Sequence, residues 1–141
     1  MGVTIYAHNG SRCFDGGAGG FMSLRTNIAK AWDKEFGEHY ETLRLCYSED
    51  DYKRFDEKTN RILLDERFKQ EDEDIVDFLF QSDIEGKISH KTCKKLYLLI
   101  KDIDFHGKIF TYAAFSDGKD YEYLKAFLLE CYSHRRMLRW R

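Results

Sequence analysis

Asp15-Gly16-Gly17-Ala18-Gly19-Gly20 packs four glycines into five positions directly ahead of an amphipathic helical stretch. A backbone without Cβ atoms turns freely and lets a ligand approach closely. The start of a helix adds free N–H groups that favour anions. Gly16, Gly17, Gly19 and Gly20, with Arg25 one turn into the helix, therefore read as a cradle for a phosphate or carboxylate. The pattern is neither GxGxxG nor a P-loop, because no Gly-Lys-Ser/Thr follows. The competing role is a flexible or closely packed connection between sheet and helix.

Other residue sets have metal or nucleophile spacing. His90 and Cys93 stand three apart, as do Cys131 and His134, and two packed helices would bring these zinc-type ligands together. Cys93 and Cys131 also fall on apolar stripes, which suits small core residues. The stretch from Gln81 to Thr92 imitates part of a calcium loop, with Gly86 at its sixth position. Its end ligands are replaced by Gln81 and Thr92. A helix–turn–helix connection is the better reading. Cys13 and His8 offer a nucleophile and a base, but strand pairing does not place them side by side. These patterns predict no catalytic residues, no metal and no cofactor.

The C-terminal segment carries Arg135, Arg136, Arg139 and Arg141, interleaved with Met137, Leu138 and Trp140. As a strand it places Arg139 and Arg141 on one face and Leu138 with Trp140 on the other. The arginines are then candidates for docking an acidic partner. Residues 49–74 hold 11 acidic and 6 basic side chains, whereas residues 119–141 hold 6 basic and 3 acidic. Such asymmetry marks candidate partner surfaces. The formal net charge of -2 gives no global pull toward nucleic acid or membrane, so neither is expected as the main partner. Four scattered cysteines without a CxxC suit reduced thiols. Tyr6 stands where a myristoylation motif needs Ser or Thr, and no signal-peptide pattern opens the chain.

These residues must be positioned by a small set of elements. Residues 3–8 alternate as a strand, and Asn9-Gly10 predicts a hairpin turn. The second strand is expected to end at Asp15, with Tyr6 facing Cys13 and Ile5 facing Phe14. Phe21, Leu24, Ile28, Trp32 and Phe36 form one helical stripe, with Gly37 as its C-terminal stop. A short helix through Tyr40, Leu43 and Tyr47 comes next. Ser48 with Asp51 forms a capping pair for a helix through Phe55, Thr59 and Ile62. Ile75, Phe78 and Leu79 mark another short helix. Gly86 interrupts, and Ser89 caps a helix carrying Cys93, Leu96, Tyr97 and Ile100 inward. Residues 105–115 read as strand or irregular, and Asp117-Gly118 as a turn. The last helix holds Tyr121, Leu124, Phe127, Leu128 and Cys131. The expected fold is α+β and mainly helical. Five or six helices pack on a small antiparallel sheet made by the N-terminal hairpin and a C-terminal strand. Residues 1–141 form a single domain in this reading.

Several segments carry a family resemblance: Val3-Thr4-Ile5-Tyr6, Gly19-Gly20-Phe21 with Leu24-Arg25, Ile28-Ala29, Glu35-Phe36-Gly37 with His39-Tyr40, the run from Asp77 to Ser89, and Lys91-Thr92-Cys93-Lys94. Together they resemble small phage and prophage proteins of Gram-positive bacteria, a family without an assigned activity. The resemblance spans nearly the full length. It implies expression in a bacterial cytoplasm during infection or lysogeny and carries over no catalytic residues. The expected function is non-enzymatic: binding and inhibiting a host protein, as a counter-defence inhibitor of the anti-CRISPR kind does. The alternative is to hold a phosphate-bearing small ligand at the glycine segment. Self-association is left open.

Overall fold

The computed structural model describes residues 2–6, 12–82, 84–104 and 119–141. The hairpin turn at Asn9-Gly10, the stretch 105–115 and the turn at Asp117-Gly118 lie outside the described residues. So do His8 and the Cys13 side chain.

Four strands and six α-helices are present among the described residues. The strands are β1 (Gly2–Tyr6), β2 (Arg12–Gly17), β3 (Gly86–Ile88) and β4 (Leu138–Trp140). They form one antiparallel sheet in the order β2-β1-β4-β3. The C-terminal strand thus joins the N-terminal hairpin, as its alternation predicts. Thr4 and Arg141 extend this pairing by exchanging backbone hydrogen bonds of 2.9 and 3.1 Å. The three-residue strand β3 is not foreseen from the sequence, where Gly86 reads as an interruption.

The register needs two corrections. Ile5 does face Phe14, but Tyr6 faces Arg12 rather than Cys13. An irregularity after Ile5 leaves Cys13 as an extra residue on β2, which shifts the pairing by one. β2 also runs on past Asp15, pairing Gly16 with Val3 and Gly17 with Gly2. A backbone ladder does not need side chains, so glycines continue it where a partner strand is offered.

The helices are α1 (Ala18–Trp32), α2 (Lys34–Glu41), α3 (Glu49–Leu63), α4 (Glu73–Phe80), α5 (His90–Ile100) and α6 (Lys119–Ser133). The stripe of Phe21, Leu24 and Ile28 is buried on α1 as expected. The stop lies earlier than Gly37. Asp33 breaks the helix and caps α2, accepting from the Phe36 N–H at 2.9 Å. Gly37 lies inside α2, where a Cβ would stand 2.4 Å from the Lys30 Cα. It permits a close crossing of α1 and α2 instead of ending a helix. The helix expected through Tyr47 ends at Glu41 and is followed by a 3₁₀ turn, Thr42–Leu45. Ser48 and Asp51 complete the reciprocal capping box of α3. Ser89 caps α5 by accepting from the Thr92 N–H.

The sheet alternates as its sequence does. Val3, Ile5, Ile88, Leu138 and Trp140 enter the core, while Lys87 and Arg139 are exposed on the other face. Trp140 is the largest fully buried side chain. It packs on Phe21 and Phe78 and donates its indole N–H to the Ser82 carbonyl at 3.0 Å. No helix among the described residues is long and apolar enough to cross a membrane.

Candidate partner-binding face

The end of α6 sets the geometry of the basic segment. Arg135 donates its N–H to the Tyr132 carbonyl, and Arg136 donates to that of Cys131. This is a Schellman closure, with Arg135 in the position that glycine ordinarily takes. Arg135 adopts φ 54°, making it the one non-glycine residue with positive φ among those described. An arginine there costs about 1–2 kcal/mol relative to a relaxed backbone. The chain then turns directly into β4.

This turn gathers the four predicted arginines on one side of the molecule. Arg135, Arg136, Arg139 and Arg141 line an open groove of about 930 Å³ together with Lys87 and Tyr6. The cross-strand register explains their meeting, since Arg139 faces Tyr6 on β1 and Lys87 on β3. Glu85 carries the only acidic side chain among the groove's described lining residues. Arg141 lies over the Tyr6 ring at 5.4 Å from its centroid. Among the described residues, Lys87, Arg135, Arg136 and Arg139 meet no carboxylate within ion-pair distance.

Several cations elsewhere pair with carboxylates. Arg67 binds Asp33 at 2.7 Å and Glu35 at 2.5 Å, and also reaches Asp65. Its hydrogen bonds hold the Asp33 carboxyl below the usual range. Lys30 pairs with Glu41, Arg54 with Asp51 and Lys95 with Asp74. The region at residues 49–74 stays net acidic despite the pairs of Arg54 and Arg67, whereas the β4 groove gathers cations beside one acidic side chain, Glu85. Lys87 and Tyr6 cannot be read as members of this site from the sequence because they lie far from the arginines along the chain. The alternation Gly86-Lys87-Ile88 is the local signal that could have found Lys87.

The glycine segment is built differently from the expectation. Gly16 and Gly17 lie in β2, and Gly19 and Gly20 lie in the first turn of α1, so the strand passes into the helix without a loop. Arg25 is 1% exposed, and its Nη1 donates to the carbonyls of Gln81 at 2.7 Å and Phe78 at 3.2 Å. The Tyr40 hydroxyl donates to the Leu79 carbonyl at 2.6 Å. Arg25 and Tyr40 thus satisfy the carbonyls at the end of α4, which have no partner within the helix. Burial lowers the Arg25 pKa, and neighbouring Tyr40 opposes that shift. The expected anion ligand is a structural clamp: its charge is directed to the backbone, away from solvent.

No group of three or more His, Cys, Asp or Glu that could hold a metal occurs among the described residues. Cys93 and Cys131 are buried on α5 and α6, and Cys131 Sγ contacts the Met137 carbonyl at 3.8 Å. His39, which the sequence does not single out as a site residue, is buried with Nε2 2.7 Å from Thr59 Oγ1 and its ring stacked on Phe55. Burial, followed by the charge of Lys58, lowers its pKa, and the Phe55 backbone pulls the other way. No family model matches this chain, and no curated protein or solved structure shows significant similarity to it.

Proposed function

We propose that the protein acts by binding rather than by catalysis, docking its β4 face on an acidic partner surface and covering it. The carrying observation is the gathering of Lys87, Arg135, Arg136 and Arg139, none of them ion-paired among the described residues, in one groove whose described lining holds a single acidic side chain, Glu85. Fixed positive charge without intramolecular counter-charge steers an acidic partner and favours carboxylate pairing. Arg135 adds to this reading. A residue held in a costly backbone conformation where glycine would relax is a mark of function. In this reading, with the resemblance to phage and prophage proteins as its support, the partner is a host protein and the action is inhibition by occlusion, of a counter-defence kind. The phosphate-ligand alternative loses its cation with Arg25 committed to Phe78 and Gln81.

The test is capture from host lysate by the wild type, by Arg136→Glu/Arg139→Glu and by Asp50→Lys/Asp56→Lys, quantified by mass spectrometry. A specific host protein retained by the wild type and the acidic-region variant, but lost by the arginine variant, supports the reading. A host protein retained by the arginine variant, or no specific capture at all, overturns it.

A further inference from the structure

The basic surface does not stop at β4. Arg135 also lines a second open groove, of about 920 Å³, between α5 and the end of α6. Its α5 wall is made by Lys91, Lys94, Lys95 and Leu98, and Tyr132 lies opposite. Lys91, Lys94 and Leu98 recur at helical spacing along one stripe of α5. They stand apart from the inward stripe of Cys93, Leu96 and Ile100. Lys95 turns to Asp74. Among the described residues, Lys91 and Lys94 meet no carboxylate, and the groove has no acidic lining residue. Leu98 is 52% exposed within this basic surround.

We infer that this α5–α6 groove is a second docking surface, continuous with the β4 face through Arg135, and that it takes an acidic amphipathic helix of the partner. The inference rests on the proposed function and extends its footprint. Two neighbouring helices leave a trough between their ridges, in which a third helix seats its side chains. The lysines of the rim pair with carboxylates of the incoming helix, and Leu98 receives an apolar residue between them. Polypeptide fits this groove better than nucleic acid. Bases stack on open aromatic faces, whereas Tyr132 already carries the Lys94 ammonium 5.2 Å from its ring centroid. An exposed aliphatic side chain offers a base no stacking face, but offers an aliphatic residue a contact.

The test uses fluorescence anisotropy with three labelled probes. One is a synthetic helical peptide with glutamates on one side and leucines on the other. The second is its scrambled counterpart, and the third is single-stranded oligothymidylate. The helical peptide is expected to bind most tightly. Lys91→Glu/Lys94→Glu is expected to weaken it about tenfold or more, and Leu98→Ser to weaken it without changing the salt dependence. These are exposed positions, and melting curves confirm that each variant is folded. Tighter binding of the oligothymidylate, equal binding of the scrambled peptide, or no binding by any probe overturns the assignment. The capture experiment separates this inference from the reading beneath it. Capture lost in Arg136→Glu/Arg139→Glu but unchanged in Lys91→Glu/Lys94→Glu leaves the β4 face standing and removes the α5 groove. Capture unchanged in both removes the two together.

Discussion

Arg25 and Arg139 have the same side chain, and burial divides their roles. Arg25 is enclosed and donates to two backbone carbonyls, while Arg139 is exposed with no carboxylate in reach among the described residues. Arg25→Ala is therefore expected to leave buried carbonyls at the end of α4 without a partner, costing about 1–3 kcal/mol. A lowered denaturant midpoint at unchanged slope checks this, and an unchanged midpoint contradicts it. Arg139→Ala is expected to leave the midpoint unchanged. His39 makes a pH-dependent contribution. Its folded pKa lies below the ordinary 6.5, so the unfolded chain binds the proton more readily. That stability is present above pH 6.5 and is lost as pH falls below it. His39→Gln is expected to melt with a smaller drop than the wild type between about pH 7.5 and 5.5. An equal drop in both proteins would contradict the assignment. The sequence gives no sign of either burial: the position of Arg25 one turn into α1 suits a ligand as well as a clamp, and only tertiary packing separates the two.

Each element was legible to the extent that its residues act locally. Ser48 with Asp51 and Ser89 with Thr92 cap their helices as written, because capping needs only residues three apart. The alternation of β4 is likewise local, and its burial follows it. What escaped was decided by partners distant in sequence. The break at Asp33 wins over the continuing stripe because Arg67, from beyond α3, holds the Asp33 carboxylate in place. β3 is a strand because β4 lies beside it, and Gly86 is required there by the Trp140 ring rather than by a turn. A Cβ at Gly86 would stand 2.1 Å from that ring, and one at Gly37 would stand 2.4 Å from the Lys30 backbone. Gly37→Ala and Gly86→Ala are each expected to destabilise by about 1–3 kcal/mol through overpacking. Thermal melts check this, and an unchanged melting temperature in either would remove the close-approach argument. The closure of α6 supplies the opposite case. Arg135→Gly relaxes a positive-φ position, so its melting temperature is expected to stay level or rise while partner binding weakens. A destabilised Arg135→Gly would show that the arginine serves the fold.

At the scale of the molecule, the net charge of -2 conceals a separation of charge. The four arginines were legible as a cluster because they are close in the chain. The two grooves were not, because Tyr6, Lys87, Lys91 and Lys94 join them only through the sheet and the α5–α6 packing. Composition averages over the surface, whereas a partner meets one side of it. An unneutralised basic face steers association, and salt screens that steering over about 10 Å at 0.1 M. The most direct measurement is the association rate of the captured host protein with the wild type and with Arg136→Glu/Arg139→Glu, across a series of salt concentrations. The wild-type rate is expected to fall steeply with salt, with the variant slower by about tenfold or more at low salt and the two converging at high salt. Equal rates at low salt, or a wild-type rate independent of salt, would contradict docking through the β4 face.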